Sequence, residues 1–70
     1  MKRKAIERIK PKKPEGKGLT ATLQELGEIL ILNIYQAKEL LVRYCINCET
    51  GEHEYWKEQH GWRKGAILNA

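Results

Sequence analysis

The chain has 70 residues, a mass of 8.2 kDa and a formal net charge of +4. That is enough for one small domain and too little for a dinucleotide-binding fold, a barrel enzyme or a capped repeat array. There is no Ser, no Asp and no Phe, which excludes a Ser-His-Asp triad and any metal site built on aspartate.

The charge is concentrated at the start of the chain. Residues 1–17 hold eight Lys or Arg against Glu7 and Glu15, whereas residues 18–70 hold five bases against seven glutamates. The chain therefore divides into a basic arm and linker, 1–18, and a small domain, 19–70. Lys2, Arg3, Lys4, Arg8, Lys10, Lys12 and Lys13 form an electrostatic footprint for nucleic acid or for an acidic protein surface. Such a run also serves, more plainly, as a solvated tail. Lys2–Ile9 fits one or two helical turns with Ala5, Ile6 and Ile9 on one side, a length that is marginal in water without a partner. Pro11, Pro14, Gly16 and Gly18 then deny regular structure, as prolines and glycines do. A mostly disordered arm is the expectation.

The domain reads as successive strands at Leu19–Leu26, 28–36, Glu39–Asn47 and 52–57. Turns fall at Gly27, at 36–38 and at 49–51. Glu49-Thr50-Gly51-Glu52 has the pattern of a type I turn followed by a left-handed glycine. Its flanks are rich in β-branched and aromatic residues. Val42, Tyr44 and Ile46 alternate with Arg43, Cys45 and Asn47, so the two sets line opposite faces. Ile29–Leu32, the longest aliphatic run, is apolar on both faces, as in an inner strand. It is also far shorter than the ~20 residues of a membrane span or the ~7–15 of a signal-peptide core, so a cytoplasmic protein with no membrane partner is expected. Trp62–Leu68 reads as a short fifth strand or a docked tail. The predicted fold is all-β: a small antiparallel meander of four to five strands, either a curled sheet or an SH3-sized barrel. The competing reading is α+β. Leu23, Leu26, Leu30 and Ile34 recur at helical spacing, and Thr22 with Glu25 would form a capping box for a helix over 22–35.

Cys45, Cys48, His53 and His60 read C-x2-C-x4-H-x6-H. The first three resemble in spacing the retroviral-type zinc knuckle, C-x2-C-x4-H-x4-C. The resemblance would imply a structural zinc held in a tetrahedron of nitrogen and sulfur ligands. It departs from the motif at Glu58, which stands at the fourth ligand position. Against it, cysteines three apart in an extended strand point to opposite faces about 10 Å apart. The hairpin and zinc readings compete for the same residues, and the hairpin is preferred, with no cofactor.

Tyr55, Trp56 and Trp62 lie near Lys57, Arg63 and Lys64, a mixture of rings and bases used to stack nucleotides while tracking phosphates. The structural alternative is that the tryptophans complete the core, with Trp56 inside and Trp62 partly exposed. Glu49, Glu52, Glu54 and Glu58 read as a solvated rim rather than as acid–base catalysts. No oxyanion donor or deep pocket is nominated, so the chain is read as non-catalytic. The expected function is nucleic-acid binding through the basic arm, with Trp62, Arg63 and Lys64 as a second contact. The alternative is a protein-interaction module, an inhibitor or adaptor of a larger enzyme, acting through a sheet edge. That economy of size is typical of proteins encoded by phages and other mobile elements. A free edge also offers a route to a homodimer.

Overall fold

The computed structural model of the chain describes residues 3–58 and 60–65. Lys2, and the end of the fifth strand expected at 66–68, lie outside the described residues. A short helix α1 (Arg3–Arg8) precedes five strands: β1 (Leu19–Leu26), β2 (Ile29–Gln36), β3 (Glu39–Asn47), β4 (His53–Lys57) and β5 (Gly61–Lys64). All pairings are antiparallel, and the spatial order is the chain order. The all-β meander is the observed fold. β1 and β5 are its two edges, so it is an open sheet. The helix considered over 22–35 is not formed. Those residues lie in β1 and β2, and Gly27 turns the chain between them at φ +58°. No helix among the described residues is long and apolar enough to cross a membrane.

Three turn chemistries set the register. Gly27-Glu28 and Ala37-Lys38 are two-residue hairpin connections, because Leu26 pairs with Ile29 and Gln36 with Glu39. Each has a positive φ at its first central residue, 58° at Gly27 and 55° at Ala37, the pattern of a type II′ turn. The Ala37 amide donates to the Gly18 carbonyl at 2.7 Å, fastening this hairpin to the start of β1. The third turn is organised by Asn47. Its side-chain oxygen accepts from the amides of Glu49 and Thr50 at 2.9 and 3.1 Å, and its carbonyl accepts from Gly51 at 2.7 Å. Gly51 is left-handed at φ +77°, as the sequence indicates.

Residues opposite one another in register share a face, which defines two very different surfaces. One carries the cross-strand row Thr22–Asn33–Arg43–Trp56–Trp62 and, beside it, Gln24–Ile31–Cys45–Glu54–Lys64. The other carries Leu23–Leu32–Tyr44–Tyr55–Arg63, flanked by Glu25–Leu30–Ile46–His53 and Ala21–Ile34–Val42–Lys57. A register shift after Ile34 leaves Leu41 unpaired in β3.

The first face is the covered one. Ile6 of α1 is fully buried against Ile29, Ile31 and Cys45, with Ile9, Leu26 and Trp62 packed around them. The arm expected to be mostly disordered therefore lies on the sheet over its described residues. A six-residue helix does not persist on its own. Burying the Ile6 side chain contributes about 2–3 kcal/mol, and the hydrogen bonds described below hold the segment that follows. Of the two tryptophans, Trp62 is partly exposed as expected, and the assignment of Trp56 to the interior is corrected. Trp62 packs against the core cluster, and Trp56, its cross-strand partner, is itself only partly buried.

Candidate nucleic-acid interface

The basic segment is held by a polar ladder that crosses three strands. Asn33, fully buried in β2, donates from Nδ2 to the Thr22 hydroxyl at 3.2 Å and to Gln24 Oε1 at 2.8 Å. On the β1 side, Thr22 donates to the Lys12 carbonyl at 2.7 Å. Gln24 accepts from the Lys12 amide and donates to the Lys10 carbonyl, both at 3.1 Å. The linker thus satisfies its backbone on side chains of β1, as an irregular segment against a sheet must do somewhere.

On the β3 side, Arg43 donates from Nε to Asn33 Oδ1 at 3.1 Å and from Nη1 to the Ile6 carbonyl at 3.0 Å. Arg43 is 5% exposed. Burial lowers its pKa, with Cys45 and Tyr35 opposing the shift; a guanidinium stays charged at neutral pH all the same. Its placement at the carbonyl end of α1 is favourable for a cation. A cleft of about 160 Å³ lies where the segment meets the sheet, lined by Glu7, Pro11, Leu40, Arg43, Trp56 and Trp62.

The cations themselves point outward. Lys4, Arg8, Lys10, Lys12, Lys13 and Lys17 are all exposed. Lys12 and Lys13 also line a groove of about 510 Å³ between the linker and β1. The backbone of this segment is fixed while its charges remain free to meet an anionic surface. The helix of Arg3 belongs to the same segment, and Lys2 lies outside the described residues.

The second contact point is divided. Trp62 and Lys64 are on the covered face, whereas Arg63 is on the opposite one, paired with Tyr55. Trp62 is partly buried against the core cluster and faces away from Arg63, so the two side chains do not share one surface. Lys64 is exposed on the side of the arm, in register with Glu54. Glu54 departs from the expected solvated rim, being 5% exposed. Glu49, Glu52 and Glu58 are exposed as expected. The Glu58 carboxyl holds its proton more tightly than usual because of a hydrogen bond with Glu39 and that group's charge.

The residues with zinc-knuckle spacing are dispersed. Cys45 is buried on the covered face and Cys48 is exposed in the turn. His53 lies on the opposite face, where its ring is hydrogen-bonded to the Tyr44 hydroxyl. Among the described residues no group of three or more His, Cys or Glu side chains is gathered for a metal. Burial pushes the Cys45 thiol up from 9.0 to about 11, an effect that Arg43 opposes and Glu54 reinforces. It is a packed thiol rather than a nucleophile.

The polar ladder was the part of the site that sequence reasoning missed. Its only signal was an alternation, Thr22, Gln24 and Asn33, Arg43, of polar residues within otherwise aliphatic strands. No protein-family model, curated protein or solved structure matches this chain.

Proposed function

We propose that this chain is a non-catalytic nucleic-acid-binding module whose phosphate contacts come from the basic segment clamped across the sheet. One observation carries the reading. Six exposed cations (Lys4, Arg8, Lys10, Lys12, Lys13 and Lys17) stand on a backbone held at Ile6, Lys10 and Lys12. Cations on a fixed backbone lose less conformational entropy on binding than cations on a free tail. They would neutralise phosphates and release counterions, without reading base edges.

The test is fluorescence anisotropy of labelled single- and double-stranded oligonucleotides across a salt series. Six phosphate contacts correspond to a log–log salt slope of about −4 to −5. Lys10→Glu with Lys12→Glu should reduce the slope by about 2, because their side chains are exposed and their clamped atoms are backbone. An absence of binding at low salt, or a slope indifferent to both substitutions, would remove the proposal.

A second reading, a protein-interaction module, is favoured by a separate observation. The face opposite the arm is aliphatic and carries Leu19 and Leu23 at 71% and 57% exposure. Pull-down with a bait carrying Lys10→Glu and Lys12→Glu separates the two. A partner that binds the sheet would be retained, and a polyanion would be lost.

A further inference from the structure

The sheet has one face covered by its own N-terminal segment and one that is not. Ile6, Ile9 and the linker all lie on the face of Ile31, Asn33 and Cys45. Among the described residues no helix or strand lies over the face of Leu32 and Tyr44, although Tyr55 in the same row is itself 4% exposed, with the Lys57 ammonium over its ring. That face has an aliphatic centre in Leu30, Leu32, Val42 and Ile46, only partly buried by their neighbours, and continues to exposed Leu23 on the β1 edge. Isolated apolar side chains on a surface are ordinary, but a contiguous face of them marks an interaction surface.

The charges around this face say what fits it. At the β1 border stands Glu25, exposed; at the far border stand Lys57 and exposed Arg63. Lys57 holds its ammonium 5.7 Å from the centre of the Tyr55 ring. The borders are thus acidic on one side and basic on the other. A two-fold axis lying between two such faces, parallel to the strands, carries β1 of each copy over β5 of the other. It also preserves height along the strand. Glu25 lies one cross-strand row from Arg63, about 7 Å along the strand direction, within reach of a guanidinium on its flexible stem. Two equivalent Glu25–Arg63 pairs would flank one aliphatic centre, the self-complementarity that an isologous interface requires.

We propose that the uncovered face of Leu23, Leu32 and Tyr44 binds a second copy of this chain, sheet against sheet, about a two-fold axis parallel to the strands. The interface is the face of the sheet, not its edge. Aligned packing of two such sheets interdigitates their aliphatic side chains into a shared layer about 10 Å thick. The basic segments are left on the two outer surfaces.

The experiment is sedimentation equilibrium of the full chain, without nucleic acid, up to about 100 μM, a range that detects a dissociation constant between about 1 μM and about 100 μM. A dimer is expected. Leu23→Glu should dissociate it while the far-ultraviolet circular dichroism of the strands persists, since Leu23 is 57% exposed in the single chain. Glu25→Arg and Arg63→Glu should each weaken association about tenfold, as like charges replace attractive ones at two symmetric positions. The double variant Glu25→Arg/Arg63→Glu should return to within about threefold of the parent. A chain that stays monomeric throughout overturns the proposal. So does a dimer that Leu23→Glu leaves intact, which would put the contact at a sheet edge.

Discussion

Arg43 and Ile6 are 37 positions apart, and the guanidinium of one donates to the carbonyl of the other at 3.0 Å. This bond joins the middle of β3 to the carbonyl end of α1, and the same side chain anchors Asn33 through its Nε. Arg43→Ala removes both donors, which takes the Arg43 bond from buried Asn33 Oδ1 and leaves the Ile6 carbonyl with the Ile9 amide alone. The expected loss is about 3–5 kcal/mol, comparable with the whole stability of so small a domain. Arg43→Lys keeps the charge but cannot form the two-point fork, so it should fall between. Urea unfolding followed by tryptophan fluorescence measures both. An alanine variant within about 0.5 kcal/mol of the parent would show that the clamp contributes nothing.

Ile6 makes the basic segment part of the core. Ile6→Ala should destabilise the fold by about 2–4 kcal/mol. Truncation of residues 1–17 should do at least as much, since it also removes the partners of Thr22 and Gln24. Loss of nucleic-acid binding on truncation is therefore no measure of charge. A truncated chain that melted at the parent's temperature would contradict the docking of α1.

Ala37 adopts φ +55° in its hairpin, a region that costs a side chain roughly 1–2 kcal/mol. Glycine escapes that strain and gives back part of the gain, about 0.4–1 kcal/mol, through the freer unfolded chain. Ala37→Gly should stabilise the protein by about 0.5 kcal/mol, read as a raised thermal midpoint. Thermal melts in which glycine lowers the midpoint would show that the turn is already relaxed.

The two thiols should separate by reactivity. Cys48 is exposed and Cys45 is buried, so an aromatic disulfide reagent should modify one thiol in the native protein and two in denaturant. Modification of both at the same rate in the native protein would mean that the face of Cys45 opens readily.

The alkaline limb carries the sign of the Cys45 shift. Its folded pKa, about 11, lies above the ordinary 9.0. Between those values the unfolded chain releases the proton that the folded chain keeps. Stability is therefore full below about pH 9, falls as pH rises and levels near 11, by about 2 kcal/mol over the window. Cys45→Ala lacks this contribution, so the difference between the two proteins in urea should narrow across that range. A constant difference from pH 8 to 11 rules the assignment out.

Strand positions were legible because the turns announce themselves. Gly27 and Gly51 interrupt alternating segments, and both adopt the left-handed backbone that glycine tolerates. Ala37 carries no such mark, and its hairpin depends on tertiary help from the Gly18 carbonyl. Alternation in β3 correctly divided Val42, Tyr44 and Ile46 from Arg43, Cys45 and Asn47. Hydrophobicity alone points to the wrong set as interior: Arg43 and Asn47 are buried, and the aliphatic set is only partly so. The reason is nonlocal. Which face is inside depends on where Ile6 lands, and the prolines between it and the sheet conceal that in the sequence. The clamp was hidden for the same reason, since its acceptors are backbone carbonyls at Ile6, Lys10 and Lys12.

The chain-ordered meander has a consequence for how the molecule is made. Each strand pairs with the one just synthesised, and short hairpin closures of this kind form within about 1–10 μs. The N-terminal segment keeps a different timetable. It is synthesised before the sheet, yet its seat is built from Ile31, Cys45 and Trp62, the last of which comes from the fifth strand. Its basic side chains therefore stay unmoored until β3 has supplied Arg43, and the seat is complete only once β5 has supplied Trp62.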